Sequence, residues 1–130
     1  MEQRITLITL GVSDIRVSTD FYEDILGWKH SPMSSENIVF FELNGVFLSL
    51  YDRVALAEDA TVDATGSGFK GFTLAHNLGS ETEVDNLINE LRNKGVKIVK
   101  EPQKVFWGGY SSYFADPDGN LWEVAYNPFL

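Results

Sequence analysis

The apolar periodicity gives one order of elements twice, β-α-β-β-β and again β-α-β-β-β, with a polar connection between. In the first half ITLITLGV (5–12) is β-branched and of strand length. SDIRVSTDFYEDILGW then predicts a helix. Ser13 or Asp14 can cap it, and Phe21, Tyr22, Ile25 and Leu26 form an apolar stripe at helical spacing. Gly27 suits the left-handed backbone of a helix stop. Strands are expected at roughly 27–32, at NIVFFEL (37–43) and at VFLSLYD (46–52), the last two joined by an Asn44-Gly45 hairpin turn. Residues 53–70 are small, polar and glycine-containing, a connection whose first part can form a helical turn.

The second half begins with a strand, GFTLAHNL (71–78). In SETEVDNLINELRNKG, Ser80 and Glu83 make a capping box, Val84, Leu87, Ile88 and Leu91 share one face, and Gly95 ends the helix. VKIVKEP (96–102), YSSYFA (110–115) and NLWEVAY (120–126) read as strands, the last two joined by a DPDG turn at 116–119. TLGV (9–12) answers TLAH (73–76), and FLSLY (47–51) answers LWEVAY (121–126). The chain therefore duplicates one supersecondary unit, which few folds do. One domain over 1–130 is expected, with a first module at about 5–52, a linker at about 53–70 and a second module at about 71–127.

Charge and composition remove several function classes. A formal net charge of −9 repels phosphate backbones, so nucleic acid is not an expected partner. No apolar run approaches the ~20 residues of a membrane span. Thr6 and Thr9 interrupt the N-terminal apolar segment, which reads as a strand and not a signal peptide; the cytoplasm is the expected location. Cysteine is absent, which excludes disulfides, thiolate metal sites and a cysteine nucleophile. DPDGN lacks the glycine and glutamate that a calcium loop needs further on. GSGFKG (66–71) feeds a strand, not the helix that a phosphate-binding glycine loop requires.

FYEDILGW (21–28) together with YFADPDGNLWEVAYNP (113–128) resembles the glyoxalase/bleomycin resistance protein/extradiol dioxygenase superfamily, also called vicinal oxygen chelate. The resemblance covers nearly the whole chain. It implies an α+β fold in which two paired βαβββ modules form a curved eight-stranded mixed sheet around a ligand cup, with helices on the outer face. It also implies a homodimer. Metal-using members draw ligands, usually His or Glu, from the first and last strands of each module. Matched to this chain, those positions fall at Leu7 and Leu48, at or beside Phe72, and at Glu123. Glu123 alone is a ligand type, so no metal and no cofactor is expected. His76 is a good ligand but lies about four residues past the matched position, at ~3.3 Å of rise per residue.

Alternation then sorts the faces. With Glu123 pointing into the cup, Leu121 and Ala125 follow, and Trp122, Val124 and Tyr126 lie under the helices. By the same matching Leu7, Thr9, Val46, Leu48, Leu50, Phe72, Leu74 and His76 face inward. Gly108 and Gly109 permit unusual backbone angles in KVFWGGYSSYF (104–114), where Trp107, Tyr110 and Tyr113 can stack on a flat ligand. The expected partner is a small, partly apolar molecule with a cationic, hydroxyl or amide group for Glu123. Two main readings stay open. One is a metal-independent binding protein like the bleomycin-resistance branch. The other is a glyoxalase-type lyase or isomerase with Glu123 as catalytic proton shuttle. A metalloenzyme with displaced ligands and a purely structural role are further options, as is an idle Glu123 hydrogen-bonded to a neighbouring strand.

Overall fold

The computed structural model describes residues 1–130, which divide into two compact units, Met1–Ser67 and Gly68–Leu130. The division falls inside the 53–70 connection.

In the first unit strands β1 (Leu7–Val12), β2 (Ile38–Glu42) and β3 (Phe47–Asp52) form a sheet of order β1-β3-β2, with β1 parallel and β2 antiparallel to β3. Helix α1 (Ile15–Asp20) starts at Asp14, whose carboxylate accepts from the N–H groups of Arg16 and Val17. It runs into a π-helical turn, Phe21–Ile25, where Leu26 N–H reaches back five residues to Phe21 O. That turn places Tyr22 within 5.4 Å of Trp28 and 5.8 Å of Phe41, ring centre to ring centre. Leu10, Val12, Val39, Phe41, Leu48 and Leu50 are buried on the sheet face that carries α1. Helix α2 (Arg53–Asp59) follows β3 directly and passes Gly11. A Cβ at Gly11 would lie 3.2 Å from the Arg53 Cα, so the glycine of TLGV makes room for a helix.

In the second unit β4 (Leu74–Leu78), β5 (Lys97–Lys104), β6 (Tyr110–Ala115) and β7 (Leu121–Tyr126) form a sheet of order β4-β7-β6-β5. Helix α3 (Glu81–Asn93) has Ser80 Oγ accepting from Glu83 N–H, while Glu83 Oε2 accepts from Gly79 N–H at 2.7 Å. Val84, Ile88 and Leu91 are fully buried, against a sheet face that buries Phe114, Trp122 and Val124. Each such side chain contributes about 1.5–3 kcal/mol of apolar burial. Pro102, which has no N–H to donate, lies in edge strand β5 where its pairing with β6 is irregular.

These seven strands lie in two sheets, so a single eight-stranded sheet is not what the structure contains. The missing strand is the one expected at 27–32. Ser31 N–H donates to Phe40 O, but Pro32 follows with no donor, and Ser34 Oγ occupies both the N–H and C=O of Phe40. A side chain thus takes the edge of β2 where a strand would pair. No helix is long and apolar enough to cross a membrane.

Candidate functional site

The second unit's sheet has one face under α3 and one with no helix of that unit across it. The DPDG turn decides which residues look which way. Asp116 N–H donates to Asn120 O, Gly119 has φ +80°, and the flanking strands pair Ala115 with Leu121. Counting outward puts Tyr113 opposite Glu123 and Ser111 opposite Ala125. Parallel strand β4 places Ala75 opposite Glu123 on the other side. Glu123, Leu121, Ala125, Ser111, Tyr113 and Ala75 therefore share the uncovered face.

Glu123 is half-buried there, and Ser111 Oγ donates to its Oε2 at 2.7 Å. Ser111 is itself buried, so its hydroxyl has a fixed direction. Tyr113 has its phenol pKa raised above the ordinary range, first by burial and then by the charge of Glu123 and a hydrogen bond to that carboxylate. A hydrogen bond with the Thr73 side chain opposes this shift. Ser111 is thus hydrogen-bonded to the Glu123 carboxylate, and Tyr113 lies opposite it across the strands. That carboxylate can accept hydrogen bonds, hold a cation, or take a proton at an oxygen.

Several expected site residues lie elsewhere. Leu74 and His76 pair with Trp122 and Val124, so both fall on the α3 side of the sheet, opposite to Glu123. That corrects their inward assignment and separates His76 from the carboxylate. Tyr110 is on the α3 side too, where its hydroxyl donates to Asp85 at 2.7 Å and its pKa rises mainly through that bond. In the first unit Leu48 and Leu50 belong to the buried core, which corrects their inward assignment as well. Ser49, on the face of β3 opposite to Leu48 and Leu50, is itself fully buried, paired with Thr9 and hydrogen-bonded to it at 2.7 Å between hydroxyls. Leu7 shares that face and is 40% exposed. Trp107 stands at the β5–β6 hairpin tip, its indole lying over Gly109. Phe72 precedes β4 and is exposed. Ser111 and Thr73 were missed; the turn count above finds Ser111 from sequence alone.

The donor set does not fit the superfamily metal. Glu123 is flanked across the strands by Ala75 and Tyr113, and no group of three or more His, Asp or Glu side chains converges anywhere in the chain. A hard or borderline cation needs several such ligands.

Comparison with known proteins accords with this architecture. The family model described as the Glyoxalase/Bleomycin resistance protein/Dioxygenase superfamily matches residues 4–124. The metallothiol transferase FosB of Staphylococcus saprophyticus is 30% identical over 124 residues, covering 95% of this chain and 77% of its own. A glyoxalase-related enzyme from Fulvimarina pelagi superposes with a TM-score of 0.85 at 36% identity, over 98% of this chain and 90% of that one. A lactoylglutathione lyase from Agrobacterium tumefaciens shares the fold at a TM-score of 0.75 and 22% identity, over 97% and 95% of the two chains. This chain belongs to the glyoxalase/bleomycin resistance protein/dioxygenase superfamily.

Proposed function

We propose that this protein binds a small, partly apolar or aromatic molecule without a metal, and that Glu123 receives a hydrogen-bond donor or cationic group of that ligand. The observation that carries this reading is the carboxylate itself. It is half-buried on the uncovered sheet face, held at one oxygen by Ser111, with a tyrosine ring opposite and no second metal ligand beside it. Ala75 and Leu121 supply apolar surface around it. The relatives named metallothiol transferase imply a metal in their own chemistry. Here the matched positions of the first module hold Leu7 and Leu48, which are not metal ligands. The protein is proposed to work in the cytoplasm as a homodimer.

The test is native mass spectrometry and metal analysis of protein purified without chelator. A bound organic mass that disappears in Glu123→Gln, with no stoichiometric metal, is the expected result. Stoichiometric nickel, zinc, manganese or iron would overturn it.

A second reading is favoured by Tyr113, which lies opposite Glu123 with its phenol pKa raised first by burial and then by that carboxylate. It makes the protein a lyase or isomerase in which a Glu123 oxygen takes a proton from the substrate and returns it. The neutral Tyr113 phenol would stabilise the carboxylate as acceptor. Under this reading Glu123→Gln keeps the bound molecule and abolishes turnover, whereas a binding role predicts a change in affinity.

A further inference from the structure

A pocket of about 240 Å³ opens in the second unit beside the DPDG turn, independent of the hydrogen bonds at Glu123. Its walls include Phe69, Phe72 and Leu121, with Lys70 and Asn120 on the rim. Phe69 is 72% exposed and Phe72 42%, so both rings offer unused apolar surface. Lys70 is held in place. Its ammonium donates to Asp118 O at 3.0 Å and to Asn120 Oδ1 at 2.9 Å.

Asn120 is in turn fixed by a buried carboxylate. Asp116, only 5% exposed, accepts from Asn120 N–H and from Asn120 Nδ2, both at 2.8 Å, and from Asp118 N–H at 2.9 Å. The amide oxygen of Asn120 is thereby aimed outward at Lys70. Both partners of Lys70 are neutral amide oxygens. Its charge has no carboxylate in contact, and one of its three N–H donors remains for a ligand. A preset cation beside two phenylalanine rings and a leucine suits a planar apolar body carrying a negative oxygen.

We propose that this pocket is a binding site for an aromatic carboxylate, its ring between Phe69, Phe72 and Leu121 and its carboxylate on Lys70. The site needs no metal and does not depend on the reading of Glu123. The ordering of Lys70 by the turn means that little side-chain freedom is lost on binding.

The probe is naphthalene-2-carboxylate, with naphthalene-2-methanol as the uncharged control, titrated into the full chain by amide NMR. The expected result has three parts. Shifts concentrate at residues 68–72 and 119–121. The carboxylate binds about tenfold or more tightly than the alcohol, as one charge-assisted hydrogen bond requires. Lys70→Gln removes that difference, while Phe69→Ala, an exposed position, weakens both compounds. Equal affinity for the two compounds, an unchanged carboxylate affinity in Lys70→Gln, or shifts confined to residues outside the pocket would overturn the proposal. Failure to bind the carboxylate at its solubility limit would do the same. Leu121 borders both surfaces, so the two sites are separated by Lys70→Gln and Phe69→Ala, which change this pocket and leave Glu123 and Ser111 in place.

Discussion

A carboxylate on a half-buried strand persists when its charge is met by donors, and at Glu123 Ser111 donates at 2.7 Å. Tyr113 lies opposite, its phenol pKa raised first by burial and then by that carboxylate. A phenol whose folded pKa lies above its unfolded value of about 10 holds its proton more tightly in the folded state. Its stabilising contribution is complete below pH about 10 and is lost as pH rises through the folded value. Urea midpoints followed from pH 8 to 11 are therefore expected to fall more steeply for the wild type than for Tyr113→Phe. Tyr110 keeps its own raised value through Asp85 in both proteins, so it does not account for a difference. Parallel curves would mean that the Tyr113 phenol is not raised above its unfolded value. A second residue invites a different test. Ser18 Oγ is buried with no hydrogen-bond partner. Leaving a buried hydroxyl unpaired costs about 1–3 kcal/mol, so Ser18→Ala is expected to match or exceed the wild type in urea by about 1 kcal/mol. A clear loss of stability would show that the hydroxyl does have a partner.

At the scale of elements, register decides what the sequence reveals. Where a tight turn joins two strands, pairing follows by counting. The DPDG turn fixes Tyr113 opposite Glu123, two residues expected on the ligand side of the sheet. Strand β4 has no such turn. It pairs in parallel with β7 after a long connection, and a slip of one residue moves every side chain to the other face. That is why Leu74 and His76 were expected beside Glu123 and stand opposite to it. Leu48 and Leu50 fail for another reason. Both faces of the middle of β3 are buried, so alternation alone does not choose between them, and the face under α1 took the larger apolar pair while Ser49 bonds Thr9 on the other. The hairpin tip carries a prediction of its own. A Cβ at Gly109 would fall 1.8 Å from Trp107 Cζ3. Gly109→Ala must therefore expel the indole from its seat. Iodide is expected to quench more of the tryptophan emission in that variant than in the wild type, with Trp28 and Trp122 as the unchanged background. Equal quenching would place Trp107 off the glycine in solution.

The duplication was the strongest signal in the whole molecule because it depends on the order of elements and not on any one register. The division between the two compact units falls inside residues 53–70, and β3 and β7 each lie beside the first strand of their own unit. The duplication did not show that the strand expected at 27–32 would be replaced by serine contacts to β2, since those depend on where Ser34 lies in space. That shared place of β3 and β7 bears on metal. At the middle of these last strands Ser49 is fully buried in one unit and Glu123 half-buried in the other, so the pair supplies one enclosed hydroxyl and one carboxylate. A cation bound only to the folded state stabilises it by about 4 kcal/mol when present at a thousand times its dissociation constant. For a chain of this size that would raise the melting temperature by more than about 10 °C. Zinc, nickel, manganese or magnesium at millimolar concentration is instead expected to shift the melting temperature of chelator-treated protein by no more than about a degree, because one carboxylate cannot replace the cation's water shell. Glu123→Gln should leave even that small response unaltered. A rise of ten degrees with any of the four ions, lost in Glu123→Gln, would demonstrate a metal site built around this carboxylate.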